Sequence, residues 1–201
     1  MDLSILKQNL EASGYDVAEF DTKEDATAYL NEQIDGQSVA FGGSVTIQQM
    51  GLYEALASHN EVLWHWAVPE GKTAPQVLAE ARTTDVYISS VNGVAESGEI
   101  INIDGNGNRV AGIMYGHKKV YLLISENKVA KDYESALFRA RNIAAPLNAV
   151  RLGKKTPCAV KGDRCYNCSS PDRICNELSV LWKKPYGCAY EIILIHENLG
   201  Y

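Results

Sequence analysis

Leu3, Leu6 and Leu10 recur at helical spacing ahead of Gly14, so residues 2–13 are expected to form a helix, followed by a short strand through Val17 and Phe20. Thr22 with Asp25 three positions later imitates a capping box, and Ala26, Tyr29, Leu30 and Ile34 make one apolar face over 23–34. Ser38–Phe41 reads as a compact buried strand that meets Gly42-Gly43, with helical periodicity returning over Val45–Ser58. The same rhythm predicts a strand at Val62–Trp66, a helix at Ala74–Ala81 with Pro75 in its first turn, and a strand at Val86–Val91. Strand and helix in alternation point to a parallel sheet covered by helices.

The rhythm changes after residue 98. Glu99–Asp104 and Arg109–Met114 flank Asp104-Gly-Asn-Gly-Asn108, a turn signal that predicts a β-hairpin, because Gly and Asn tolerate positive φ. Lys119–Ile124 reads as a strand and Tyr133–Asn148 as a helix, with Leu137, Ala140, Arg141 and Ala144 as neighbours. Residues 151–188 show no period, and Tyr190–His196 reads as a strand returning to the sheet. The expected organisation is an α/β domain over 1–150, a Cys-rich segment over 151–188, and a terminal strand within 189–201.

At 201 residues, 46% hydrophobic and 22% charged, the chain has the makeup of one ordinary globule, neither disordered nor fibrous. A formal charge of −6 excludes general electrostatic attraction to nucleic acid or anionic lipid, so any anion needs a local site. Neither a secretory leader nor a membrane-spanning run is expected, which places the protein in the cytoplasm and its five cysteines in a reducing compartment.

Four of those cysteines, Cys158, Cys165, Cys168 and Cys175, follow the spacing C-x6-C-x2-C-x6-C, with Pro157, Gly162 and Pro171 to bend the chain between them. Soft sulfur donors at this spacing suit zinc or an iron–sulfur cluster, and the spacing does not choose between the two. Residues 151–184 carry eight basic side chains against three acidic ones, a local field that favours thiolate. Cys188, beside a predicted core strand, reads as a packed apolar side chain.

Phe41-Gly-Gly-Ser-Val-Thr46 has the chemistry of an anion cradle: glycines that let backbone approach a ligand, and hydroxyls at Ser44 and Thr46. The equally available reading is a plain strand-to-helix turn with Ser44 as N-cap. Asn92-Gly-Val-Ala-Glu96 follows a predicted strand, where open α/β sheets form their crevice, so Asn92 and Gly93 are binding candidates and Glu96 is the candidate acid, base or nucleophile. The turn at 104–108 is not a calcium loop, since Arg109 stands where glycine is obligatory. His65 between Trp64 and Trp66, and His196, read as packed or edge residues.

Together Phe41-Gly-Gly-Ser-Val-Thr, Thr84-Asp-Val-Tyr, Val94-Ala-Glu-Ser-Gly, Gly107-Asn-Arg, and Thr156-Pro-Cys followed by Gly162-Asp-Arg-Cys-Tyr-Asn-Cys-Ser-Ser-Pro-Asp-Arg-Ile-Cys-Asn176 resemble the LUD (lactate utilization) family, in its protein C-like branch. The resemblance implies a three-layer α/β fold like that of coenzyme A transferases and ribose-5-phosphate isomerase. It also implies Gly42, Gly43, Ser44 and Thr46 as ligand-binding positions and Glu96 as the counterpart of a reactive glutamate. Three functions follow as expectations. The chain is a subunit of a cytosolic iron–sulfur system oxidising lactate to pyruvate, with iron–sulfur oxidoreductase partners; or a stand-alone transferase or isomerase-like enzyme using Glu96; or a noncatalytic module binding a small anionic metabolite, with structural zinc.

Overall fold

The computed structural model describes residues 2–201. Helix α1 (Ser4–Ala12) leads to β1 (Asp16–Phe20), α2 (Lys23–Gln33) and β2 (Ser38–Phe41). Thr22 caps α2 as the sequence predicts, its hydroxyl accepting the Asp25 N–H at 3.1 Å. The single helix expected over 45–58 is two, α3 (Val45–Gln49) and α4 (Leu52–Ala57), because Gly51 takes a left-handed conformation (φ 63°) between them. Strand β3 (Glu61–Leu63) stops short of Trp66: Trp64 leaves the ladder to stack on Trp66 and to donate its indole N–H to the Gly42 carbonyl.

After α5 (Ala74–Glu80) come β4 (Val86–Ser90), β5 (Gly93–Ala95) and β6 (Ile100–Asp104). The hairpin expected across 104–108 is corrected here. Residues 108–114 form helix α6 (Asn108–Met114), because the Asp104 carboxylate accepts the N–H groups of Arg109 and Val110 and Gly107 enters with φ 76°. The antiparallel neighbours of β6 are instead β5 and β9 (Glu177–Leu181), the latter a strand that the segment 151–188 gave no periodic hint of. Between them lie β7 (Lys119–Ser125), β8 (Val129–Ala130), α7 (Tyr133–Arg139), a π-turn over Ala140–Ala144, α8 (Ala145–Arg151) and α9 (Pro157–Lys161). Pro146, which has no N–H to offer the preceding turn, sits just past the π-segment.

The chain closes with β10 (Ala189–Ile195), which is inserted between β1 and β7 in a six-stranded, all-parallel sheet of order β1-β10-β7-β4-β2-β3. Successive residues of β7 serve opposite faces: Val120, Leu122 and Ile124 pack with α1, α5 and α6, whereas Tyr121 and Leu123 pack with α2, α3 and α4. This gives three layers. The smaller sheet, β8-β5-β6-β9, lays Ala95 and Ile101 against Ala136 and Ala140, closing a second core beside the first. Among the described residues, no helix is long and apolar enough to cross a membrane.

Candidate functional site

The carboxyl ends of β2, β4 and β7 open into one cavity of about 420 Å³, the position at which a parallel sheet leaves a crevice. Glycines bring backbone close to its wall. A Cβ on Gly42 would lie 2.8 Å from Ser89 Oγ, and one on Gly43 would lie 3.1 Å from His65 Nε2 and 3.2 Å from the Trp66 ring. Ser44 is the N-cap of the alternative reading, its Oγ accepting the Ile47 N–H at 3.3 Å; it also lines the cavity and shares a 2.6 Å hydrogen bond with Ser90 Oγ. Thr46 lines the cavity and is fully buried. Asn92 lines it too, its Oδ1 accepting from Arg109 and from the Ile103 N–H. Gly93 has a packing role instead, since a Cβ there would stand 2.8 Å from the Ala136 carbonyl.

What the sequence did not flag is the charge beneath this wall. Lys128, in the 3-10 turn after β7, is 1% exposed, and its one hydrogen bond goes to Thr46 Oγ1 at 2.7 Å. Arg109 spends its fork on the Ser90 and Ile103 carbonyls and on the side-chain oxygens of Asn102 and Asn92. Arg139 donates to the carbonyls of Asn127 and Asn92. Among the described residues none of the three is in an ion pair with a carboxylate, although Asp104 and Glu177 act on Arg109 from further off. Burial holds Arg109 below its ordinary value and Arg139 down to about 10. Lys128 is driven well below its ordinary value, by burial first and then by the neighbouring Arg139 and Arg109 charges. His65 Nδ1 is buried without a partner, and burial lowers the pKa of that ring as well.

One legible signal pointed to Arg139: it stands between Ala136 and Ala140, so the buried stripe is Ala136, Arg139, Ala140 and Ala144, which keeps Ala140 and Ala144 of the expected set and leaves out Leu137 and Arg141. Lys128 follows Ser-Glu-Asn, and such a polar run gives no sign of burial. His65 and Trp66 line the cavity instead of serving only as packing. His196 is the edge residue expected, hydrogen-bonded to Glu19 at 2.8 Å.

Glu96 is not brought to this cavity. It sits in the β5–β6 turn, its N–H donating to the Ala130 carbonyl and its carbonyl accepting from Asn9 of α1. The short β5 strand turns the chain away from the crevice before residue 96 is reached.

The cysteine donor set has the chemistry of a soft-metal site, but its geometry is open. Among the described residues no three His, Cys, Asp or Glu side chains converge as metal ligands, and all five thiols are free and half-buried. Cys158 Sγ hydrogen-bonds Thr156 Oγ1, whereas Cys165 Sγ accepts the Asn167 N–H at 3.4 Å. The expected four-thiolate centre is therefore not assembled in this arrangement. Cys188 packs partly against the main core, as expected.

The LUD domain family matches residues 3–195, nearly the whole chain. This protein belongs to the LUD domain family. The LUD fold is seen in a DUF162 family protein from Deinococcus radiodurans, which is 13% identical, with 96% of this chain and 95% of that chain covered and a TM-score of 0.54. Partial likeness extends to ribose 5 phosphate isomerase A from Neisseria gonorrhoeae (16% identity, 54% and 53% covered, TM-score 0.35) and to eIF2B beta from Chaetomium thermophilum (16% identity, 56% and 44% covered, TM-score 0.37). The chain spans about half the length of those two proteins. No curated relative matches the LUD domain described here in sequence. Through its family, this LUD domain is related to lactate utilization proteins.

Proposed function

We propose that this LUD domain binds a small anionic metabolite, a carboxylate or a phosphorylated compound, in the cavity at the ends of β2, β4 and β7. The observation that carries the reading is the buried guanidinium of Arg109 in the cavity wall, with buried Arg139 bonded to the same Asn92 behind it, neither in ion-pair contact with a carboxylate among the described residues. Burying unpaired charge costs several kcal/mol, and a site that retains such charge is suited to an anion arriving from outside. Ser44, Ser90, Thr46 and Asn92 supply the polar atoms that would hold it.

Thermal melts of the whole chain with inorganic phosphate, lactate, pyruvate and a sugar phosphate, at matched ionic strength, test this. A ligand held at 100 times its Kd stabilises by about 2.7 kcal/mol, which for 150–250 residues raises Tm by roughly 5–11 °C. Equal and negligible shifts for every anion would end the proposal. Within this reading, a lactate-oxidising iron–sulfur assembly is the finer assignment, supported by the family relation alone, and recovery of the chain with iron–sulfur subunits from cells grown on lactate tests it.

For the cysteine segment we keep zinc or an iron–sulfur cluster as the proposed occupant, gathered by local closure of the chain. Two features support it. Residues 157–176 carry no fully buried side chain to anchor them, and Arg173 donates to the carbonyls of both Cys168 and Cys175, keeping those two positions on one guanidinium. Anaerobic purification with metal and acid-labile sulfide analysis decides between zinc, cluster and neither.

A further inference from the structure

Resting on the anion-site reading, we infer that Lys128 is a carbonyl-reactive amine, and that the ligand class of this cavity is a small compound carrying both an anionic group and an aldehyde or ketone. A lysine whose only task is to hold an anion works best as an ammonium at the rim, in water, and this cavity already has rim cations in Arg151 and Lys154. Lys128 is placed otherwise. It lines the cavity while 1% exposed, its single hydrogen bond is to a hydroxyl, and its charged neighbours are the guanidiniums of Arg109 and Arg139.

Desolvation and like charge both favour the neutral amine, the form with a lone pair to give; Asp104 lines the same cavity, but among the described residues no carboxylate is in ion-pair contact with Lys128 to restore the proton. The guanidiniums keep their charge, so attraction for the anionic group and nucleophilicity reside on different residues. His65 completes the set. Its Nδ1 is buried without a partner and its ring lines the same cavity as a neutral imidazole, able to take a proton and return it.

The step balances without a further reactant. The Nζ lone pair adds to the carbonyl carbon as the C=O π pair moves to oxygen, and one Nζ proton passes to that oxygen to give a carbinolamine. The C–O bond then breaks, the second proton leaves nitrogen for the departing hydroxyl, and one water is released with formation of the C=N bond.

The test is borohydride trapping on the full chain with pyruvate as the probe, read by intact mass and peptide mapping. Surface lysines are about 10⁻³ neutral near pH 7.4, so Lys128 is expected to be labelled faster than any of them, with a ceiling of about 10³-fold set by that fraction. Acetone, which has the carbonyl but no anionic group, should label Lys128 far more slowly, and inorganic phosphate should protect it. Lys128→Arg should abolish the adduct, while mapping of the wild-type chain keeps the test decisive should that variant fail to fold. Labelling spread evenly over surface lysines would overturn the inference. A pyruvate- or phosphate-induced rise in Tm without a Lys128 adduct would overturn the imine alone, and the absence of both would overturn the anion site with it.

Discussion

Replacing Lys128 by Met should stabilise the unliganded protein, against the usual outcome of altering a fully buried side chain. Met has similar length and no charge, so it keeps the packing and removes only the amine and its hydrogen bond to Thr46. That bond is worth about 1 kcal/mol net. The amine's cost is bounded by linkage. The native pKa lies below the ordinary 10.5, so between the native value and 10.5 the unfolded chain binds more protons and stability rises with pH. Whatever the size of the shift, the cost is at most roughly 5 kcal/mol near pH 7, at most roughly 2 kcal/mol near pH 9, and nothing above 10.5. Subtracting the lost hydrogen bond, Lys128→Met should gain stability near pH 7 by no more than roughly 4 kcal/mol, with a rise in Tm of some 2–4 °C per kcal/mol gained. The gain should shrink as the pH rises toward 10. The burial of Arg139 adds a similar dependence only above about pH 10, outside the window compared. Denaturant melts of both proteins near pH 7 and pH 9 measure the difference. A variant less stable than wild type by the same amount at both values would refute the claim that Lys128 is buried at a cost.

Gly43→Ala places a methyl group 3.1 Å from His65 Nε2 and 3.2 Å from the Trp66 ring, so it should weaken anion-induced stabilisation by roughly tenfold in affinity, about 1.4 kcal/mol, with a small change in unliganded Tm; calorimetric titration reads the difference. Glu96→Gln should leave anion affinity unchanged, since the side chain stands outside the cavity lining; a large loss would bring the β5–β6 turn back into the site. Gly112→Ala drives a Cβ to 2.5 Å from the Tyr87 ring carbon and should cost about 1–3 kcal/mol by denaturant melt, because two packed elements must separate. Ser44→Ala removes the N-cap of α3 and the partner of Ser90, and should cost about 1 kcal/mol together with measurable anion affinity.

The layered fold was legible because it rests on local periodicity. Leu3, Leu6 and Leu10, the Thr22 cap, and the apolar run Ser38–Phe41 each specify an element before any partner is present, and β2 and β4 end where the glycine turn and Asn92 were expected to open the crevice. The sequence by itself also marked Ser44, Thr46 and Asn92, since hydroxyls and amides beside glycine at a strand's end advertise a wall that backbone can approach. Tertiary structure decided what the sequence left open. Asp104 turned a predicted hairpin into α6 by accepting two amides from across its own turn, and β9 found β6 from a segment without period. It also set Lys128 and Arg109 in one cavity wall with Arg139 behind it on the Asn92 and Asn127 carbonyls, leaving Glu96 outside. The physical reason is range. A period or a cap is an interaction among residues three or four apart, whereas the burial of a charge depends on which distant strands and helices close over it.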